Sequence, residues 1–323
     1  MRFQSGRAAL FAAVALTSGF GWSQEFPSKP IRILVGAAPG GGSDTITRKV
    51  AQLIQQQTNA SIVVENRPGA SGSIAVLATI RSAPDGYTLT ICPPDTVAVY
   101  PQMKKVPPYT FENLTAVAKL AEVNYIFVVP ANSPVNNVAD FIKYAKAQPK
   151  PLSFGSNGVA TSATMVSEMF KQKTGVQMQQ VPYQSDAPML VGMSTGETAF
   201  ATTAFVSAKA FLDSGKVKAI GLVNDQRNPE FSQVPTVAEG GLKDFNVSAW
   251  FGIFGPKNMP PEVTKKLGEM FLNAVNSEDF KEFAKGRGLT PKSSGPVEFD
   301  KFVRENIPLW GAAIKGANIA LED

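Results

Sequence analysis

The chain has 323 residues, enough for two ordinary domains with cores of their own. It is 44% hydrophobic and 18% charged, a globular composition, and its net charge of +5 falls to +3 without Arg2 and Arg7, too little to imply a nucleic acid partner when no dense Lys/Arg cluster is present. There is no histidine and a single cysteine, Cys92, which excludes Ser-His-Asp and Cys-His catalysis, His-bearing zinc sites and an intramolecular disulfide.

The first element in chain order has the pattern of a secretory signal. Arg2 and Arg7 give a basic start, residues 8–16 a short apolar run, and Gly21-Trp22-Ser23 places small residues where a signal peptidase inspects them. Cleavage is expected near Ser23, leaving a soluble, exported chain. The run is far short of the roughly 20 residues a membrane span needs.

Residues 31–35, IRILV, read as a strand and Gly36 to Ser43 as a glycine-rich turn. A helix follows from about Asp44, with Ile46, Val50, Leu53 and Ile54 on one face and Ser43 or Asp44 as its cap. Ile62-Val63-Val64 is a second strand and completes a β-α-β unit, which implies a parallel, buried sheet. A helix over 73–81 carries Ile74, Leu77 and Ala78, and a strand spans Tyr87 to Ile91, ending at Cys92, a buried small hydrophobe. Residues 117–120 and 125–129 read as extended, and 138–147 as a helix. Leu152-Ser153-Phe154, the turn Gly155-Ser156-Asn157-Gly158 and a helix from about Ser162 repeat the opening theme. Helices at 187–194 and 206–212 alternate with strands at 198–202, 217–223 and 247–254, and helices at 261–275, 277–285 and 296–315 close the chain. Crossovers between two lobes fall near 123–126 and 246–250.

Pro39-Gly40-Gly41-Gly42-Ser43-Asp44 is the strongest chemical feature. Glycines bring backbone N–H groups close to a ligand, and the helix start that follows favours an anion. A plain tight turn is the bland alternative. Gly41 is followed by Gly42 rather than Lys, so the segment is not a P-loop, and it lacks the G-x-G-x-x-G of a dinucleotide site, although Glu65 ends the second strand where a ribose-binding acid would stand. The second turn offers Gly155, Ser156, Asn157, Gly158, Thr161, Ser162 and Thr164, which suit the other end of a polar ligand or cap the helix. Tyr183, Thr203 and Trp250 are further cleft candidates, with core packing the alternative for Trp250. Two anion-suited turns, one in each half, suggest a two-lobe clamp.

Seven stretches in order give the chain a resemblance to a known family. They are Phe26-Pro-Ser-Lys-Pro-Ile-Arg, Pro39-Gly-Gly-Gly-Ser-Asp44, Val64-Glu-Asn-Arg-Pro-Gly-Ala-Ser-Gly72, Ala83-Pro-Asp-Gly-Tyr-Thr-Leu89, Val181-Pro-Tyr183, Val234-Pro-Thr-Val-Ala-Glu239 and Ala249-Trp-Phe-Gly252. Together they resemble the Bug-type periplasmic receptors of tripartite tricarboxylate transporters. The resemblance implies an α/β, type II periplasmic-binding fold of two domains joined by two crossovers, here 24–124 plus 248–323 and 125–247 after a signal peptide over 1–23. It implies a small organic carboxylate held between the two turns by backbone N–H groups, hydroxyls and bridging waters, with no cofactor or metal, no catalysis, and delivery by a monomer to a large and a small membrane subunit. An exported two-lobe enzyme and a sensor domain with the same clamp are the alternatives. For the enzyme, Asp44 and Asp95 are the only first-lobe acids that fall near strand ends.

The chain also departs from the family pattern. Thr164 stands where a His is common, Gln184-Ser185 where a Lys begins the stretch after Pro-Tyr, and Thr203-Ala204 where an Asp-Asn pair is expected. These changes remove a cation and several hydrogen-bonding groups. They shift the expected ligand from a di- or tricarboxylate towards a monocarboxylate, an amide-bearing acid or an aromatic acid.

Overall fold

The computed structural model of the chain describes residues 26–158, 161–223, 227–243, 245, 247 and 249–321. The proposed signal segment, 1–23, lies outside them. In chain order the elements are β1 Ile31–Val35, α1 Gly42–Thr58, β2 Ile62–Asn66, α2 Ser73–Ile80, β3 Thr88–Cys92, β4 Leu114–Val123, β5 Tyr125–Pro130, α3 Val138–Lys146, β6 Leu152–Ser156 and α4 Ser162–Thr174. There follow β7 Met178–Pro182, α5 Asp186–Ser194, β8 Phe200–Ala204, α6 Phe205–Asp213, β9 Val217–Leu222, β10 Ala249–Pro256, α7 Pro261–Val275, α8 Glu278–Ala284, β11 Leu289–Thr290 and α9 Pro296–Gly316.

These strands form two sheets. The first has the order β11-β4-β10-β3-β1-β2 and the second β7-β6-β8-β5-β9. In the first, β1 pairs in parallel with β2 and β3, as the β-α-β pattern implies. The expectation of a parallel sheet holds for that unit and is corrected beyond it, because β10 runs antiparallel to both β3 and β4. The second sheet is also mixed: β6 is parallel to β7 and β8, while β5 is antiparallel to β8 and β9. Continuous apolar runs say only that both faces of a strand are covered, and an antiparallel strand between two helix layers meets that condition equally well.

Local chemistry accounts for the helices that flank the cleft. In α1 the face Ile46, Val50, Leu53 and Ile54 is buried as its spacing requires, and Asn59 ends the helix in the left-handed region at φ 59°. In α4, Thr161 is the N-cap and its side chain accepts the Thr164 N–H. Helix α2 is rotated from expectation: Ile74 is exposed, and Ser73, Ala75, Val76 and Thr79 face inward.

The lobes are connected at more than the crossovers. The chain leaves the first sheet at Val123 and enters the second at Tyr125, with Asn124 between them almost fully buried. The Asn124 N–H donates to the Gly288 carbonyl, and the Asn124 carbonyl accepts the Phe205 N–H, so one residue is tied to both sides. Helix α9 packs against β4 and also against α4, where Gln172 donates to the Ala313 carbonyl at 3.1 Å. One apolar core therefore runs from Trp250, Phe299 and Trp310 to the aromatic group Phe127, Phe141, Phe170 and Phe200 of the second sheet.

Gly36, just past β1, shows how tightly the site end of the first sheet is built. A Cβ at Gly36 would lie 2.5 Å from the Gly72 Cα, and Gly72 is itself at φ 85°, a conformation that only glycine holds easily. Neither backbone has room to retreat. Gly36→Ala is expected to cost about 1–3 kcal/mol of stability by overpacking, measured as a lower midpoint in chemical denaturation with an unchanged slope.

Candidate functional site

A cleft of about 470 Å³ opens at the carboxyl ends of the parallel strands. Its first wall consists of Gly36 and Ala37 after β1, Ser43 in the first turn of α1, Ser71 after β2, and Ile91, Pro93, Asp95 and Thr96 at and beyond the end of β3. Its second wall is Gly158 and Thr161, between β6 and α4. The amino ends of α1 and α4 thus meet one cavity. Each carries N–H groups without intrahelical partners and the positive end of a helix dipole. Open α/β sheets place ligands at this position.

The first turn is held by Asp44. Its carboxylate accepts the Gly40 N–H at 2.9 Å, Arg48 Nε at 3.0 and 3.1 Å, and Asn66 Nδ2 at 2.9 Å. Asn66 also donates to the Ala37 carbonyl at 3.0 Å, which joins the end of β2 to the turn. Burial alone would raise the Asp44 pKa, but hydrogen bonds from Arg48, Gly40 and Asn66 together hold it below the ordinary value. Gly41, not Ser43 or Asp44, is the N-cap of α1. Asp44 therefore braces the turn, and its own acceptors are taken.

The second turn is satisfied internally to a similar degree. Thr161 Oγ1 donates to Asn157 Oδ1 at 2.7 Å, Thr164 Oγ1 donates to the Gly158 carbonyl at 2.7 Å, and Asn157 Nδ2 donates to Asp186 at 2.7 Å. Ser156 is buried and its hydroxyl accepts Gln180 Nε2 at 2.7 Å. Ser162 pairs its hydroxyl with that of Tyr125 at 2.7 Å and donates its backbone N–H across the cleft to Asp95 Oδ1 at 3.0 Å. Burial raises the Asp95 pKa, against the hydrogen bonds from Ser162, and the nearby Asp186 adds to the rise.

Other residues anticipated from the sequence lie elsewhere. Pro39, Gly40 and Gly42 are exposed on the turn, and Gly40 and Gly42 border a second cavity of about 350 Å³ beside Val123, Phe251 and Leu289. Gly155 is buried where a Cβ would strike Met189 at 2.7 Å, so close packing against α5 explains the glycine. The Tyr183 hydroxyl lies over Gly192 of α5, and burial followed by the Glu197 carboxylate pushes its pKa up to about 12. Thr203 is fully buried on β8. Trp250 belongs to the core rather than the cleft: it is fully buried, with Phe299 edge-on at 5.3 Å between centroids. Cys92 is likewise buried, its thiol pushed up to about 12 by that burial.

Gly36, Ala37, Ser71, Pro93 and Thr96 were not anticipated, and Asp95 was considered only as a possible catalytic acid. The signal that finds them is positional, since all follow the carboxyl ends of β1, β2 and β3. Among the described residues no cluster of His, Cys, Asp or Glu is arranged to hold a metal ion, and no helix is long and apolar enough to cross a membrane.

Residues 46–319 match the model of the tripartite tricarboxylate transporter family receptor. The chain belongs to this family. Protein BugT of Bordetella pertussis is 28% identical over 299 residues, which cover 92% of this chain and 92% of BugT. Among solved structures of this fold, Rpa4515 of R. palustris with adipate is 28% identical with a TM-score of 0.78, covering 92% of this chain and 99% of that one. MatC from Rhodopseudomonas palustris with bound malate is 26% identical with a TM-score of 0.74, covering 90% and 100%. The receptor family thus accounts for the two α/β sheets and for a cleft between them.

Removal of the brace at the first turn should be visible in stability. Asp44→Ala is expected to lose about 1–3 kcal/mol, a range that allows for the solvent around Arg48. Because folding lowers the Asp44 pKa, its contribution is present above the ordinary value of 3.8 and is lost as pH falls through the lower folded value. The gap between the native protein and Asp44→Ala should be constant near neutrality and close in acid below that value, as read from denaturation midpoints across a pH series.

Proposed function

We propose that this chain is a periplasmic solute-binding receptor that captures a small organic carboxylate between its lobes. It then presents the ligand to the large and small membrane subunits of a tripartite tricarboxylate transporter. The observation that carries the reading is the single cleft on which the amino ends of α1 and α4 converge. The start of α1 and the hydroxyls of Ser43 and Ser71 suit an anion bound largely by neutral donors and bridging waters. The adipate and malate in the related Rpa4515 and MatC structures support the ligand class.

Export follows from the signal pattern over 1–23, and the proposed lobes are 24–124 plus 248–323 and 125–247. The protein acts as a monomer, needs no cofactor, and binds without turnover. The chain has no histidine to serve as a base, and Asp95, the one ionisable side chain among the described residues of the cleft wall, is hydrogen-bonded to Ser162 at the start of α4.

The cleft wall carries no Lys or Arg side chain among the described residues, which favours ligands of low negative charge. The preferred ligand is a monocarboxylate, an amide-bearing acid or an aromatic acid.

A thermal-shift screen of the mature protein against carboxylates, sugars, amino acids and nucleotides tests the ligand class. A ligand at about 100 times its dissociation constant adds roughly 2.7 kcal/mol to stability, so a selective rise in Tm with organic acids is expected. A rise confined to sugars or nucleotides, or conversion of a bound acid to product, would contradict the reading.

A further inference from the structure

Asp95 is out of place in a cleft built to receive an anion. It sits just after β3, half-buried, with part of its surface open to the cleft, and it is the only ionisable side chain among the described residues of the cleft wall. Its Oδ1 accepts the Ser162 N–H at 3.0 Å, so a carboxylate of the protein already occupies the amino end of α4. The charge of Asp186, which accepts a hydrogen bond from Asn157, reinforces the negative character of that end.

The two ends of the cleft are therefore unlike. At α1 the acid of the first turn, Asp44, is paired with Arg48 and accepts from Gly40 and Asn66, so its charge is balanced and it takes no N–H of the helix itself. At α4 the positive end of the helix is already neutralised. A ligand carboxylate has one helix start left to bind, that of α1 beside Ser43. A second carboxylate on the same ligand would be carried towards Asp95 and repelled. A group that donates hydrogen bonds would be attracted.

We propose that Asp95 is the specificity-determining residue of the cleft, and that the ligand is a monocarboxylate whose far end carries an N–H donor, an ammonium or a primary amide. This rests on the receptor reading and narrows it. The carboxylate end lies at the start of α1 and the N–H end faces Asp95, which accepts from the ligand while keeping its bond to Ser162.

Isothermal titration with matched probes tests the assignment. At four carbons they are butanoate, succinate, succinamate and 4-aminobutanoate; at six they are hexanoate, adipate, adipamate and 6-aminohexanoate. The native protein is expected to bind an N–H-bearing acid about tenfold or more tightly than both the dicarboxylate and the plain acid of equal length. The amide and amine arms show which donor is preferred. Asp95→Asn keeps an acceptor for Ser162 and removes the charge, and Asp95→Ala removes both. In each variant the preference over the dicarboxylate should shrink to about twofold or reverse. The assignment is overturned if a dicarboxylate or a plain acid binds the native protein as tightly as its N–H-bearing partner, or if the preference survives unchanged in both variants. Binding of none of the eight acids would remove the carboxylate-receptor reading itself, and this assignment with it.

Discussion

A run of three glycines pays a large entropic cost to hold one shape, and the cleft depends on how that cost is met. Asp44 meets it. A single buried carboxylate at the start of α1 binds Gly40, Arg48 and Asn66, and Asn66 reaches on to Ala37. The turn, the helix start and the end of β2 become one rigid corner. The close approach of Gly36 to Gly72 then sets the segment bearing Ser71 against that corner, and Thr96 fixes it by donating to the Ser71 carbonyl at 2.8 Å. Gly36, Ala37, Ser43 and Ser71 of the first wall inherit their positions from these contacts.

The second wall is braced independently, through Asn157, Thr161 and Thr164 around Gly158. What relates the two walls is a small set of connections: Asn124 at the crossover, helix α9 lying on α4, and the bond from Ser162 to Asp95. The first two are buried and belong to the fold. The third crosses the cleft at Asp95, on its wall. A hydrogen bond to a charged group contributes about 1.5–3 kcal/mol net, and a ligand that reaches Asp95 adds to this contact rather than replacing it. Two walls, each braced on its own and facing one cleft, form an arrangement suited to capture and release.

Much of this was legible in the sequence. The 3.6-residue period of α1 and the buried run of β1 are strong local signals, and both elements stand where the pattern puts them. The glycine turns also announce themselves, since few other residues permit such geometry. The direction of β10 was not legible, because a strand covered on both faces reads the same whichever way it runs. Strand β7 was missed because Met178-Gln179-Gln180-Val181-Pro182 is polar in the middle and lies at a sheet edge, where little burial is demanded. Trp250 could have faced the core or the cleft, and only the tertiary placement of Phe299 and Phe302 decides it. The role of Asp44 was hidden for another reason. An acid in the first turn of a helix has a sufficient local explanation, and its partner Asn66 lies 22 residues away.

A crystal structure of the mature protein with a bound carboxylate tests the central claim most directly. The clamp predicts the ligand carboxylate at the start of α1, beside Ser43 and within reach of Ser71 and Thr96, with its other end facing Gly158 and Thr161. Ligand density in the cavity bordered by Phe251 and Leu289 instead, or on the outer surface with the space between the two turns holding only water, would contradict it.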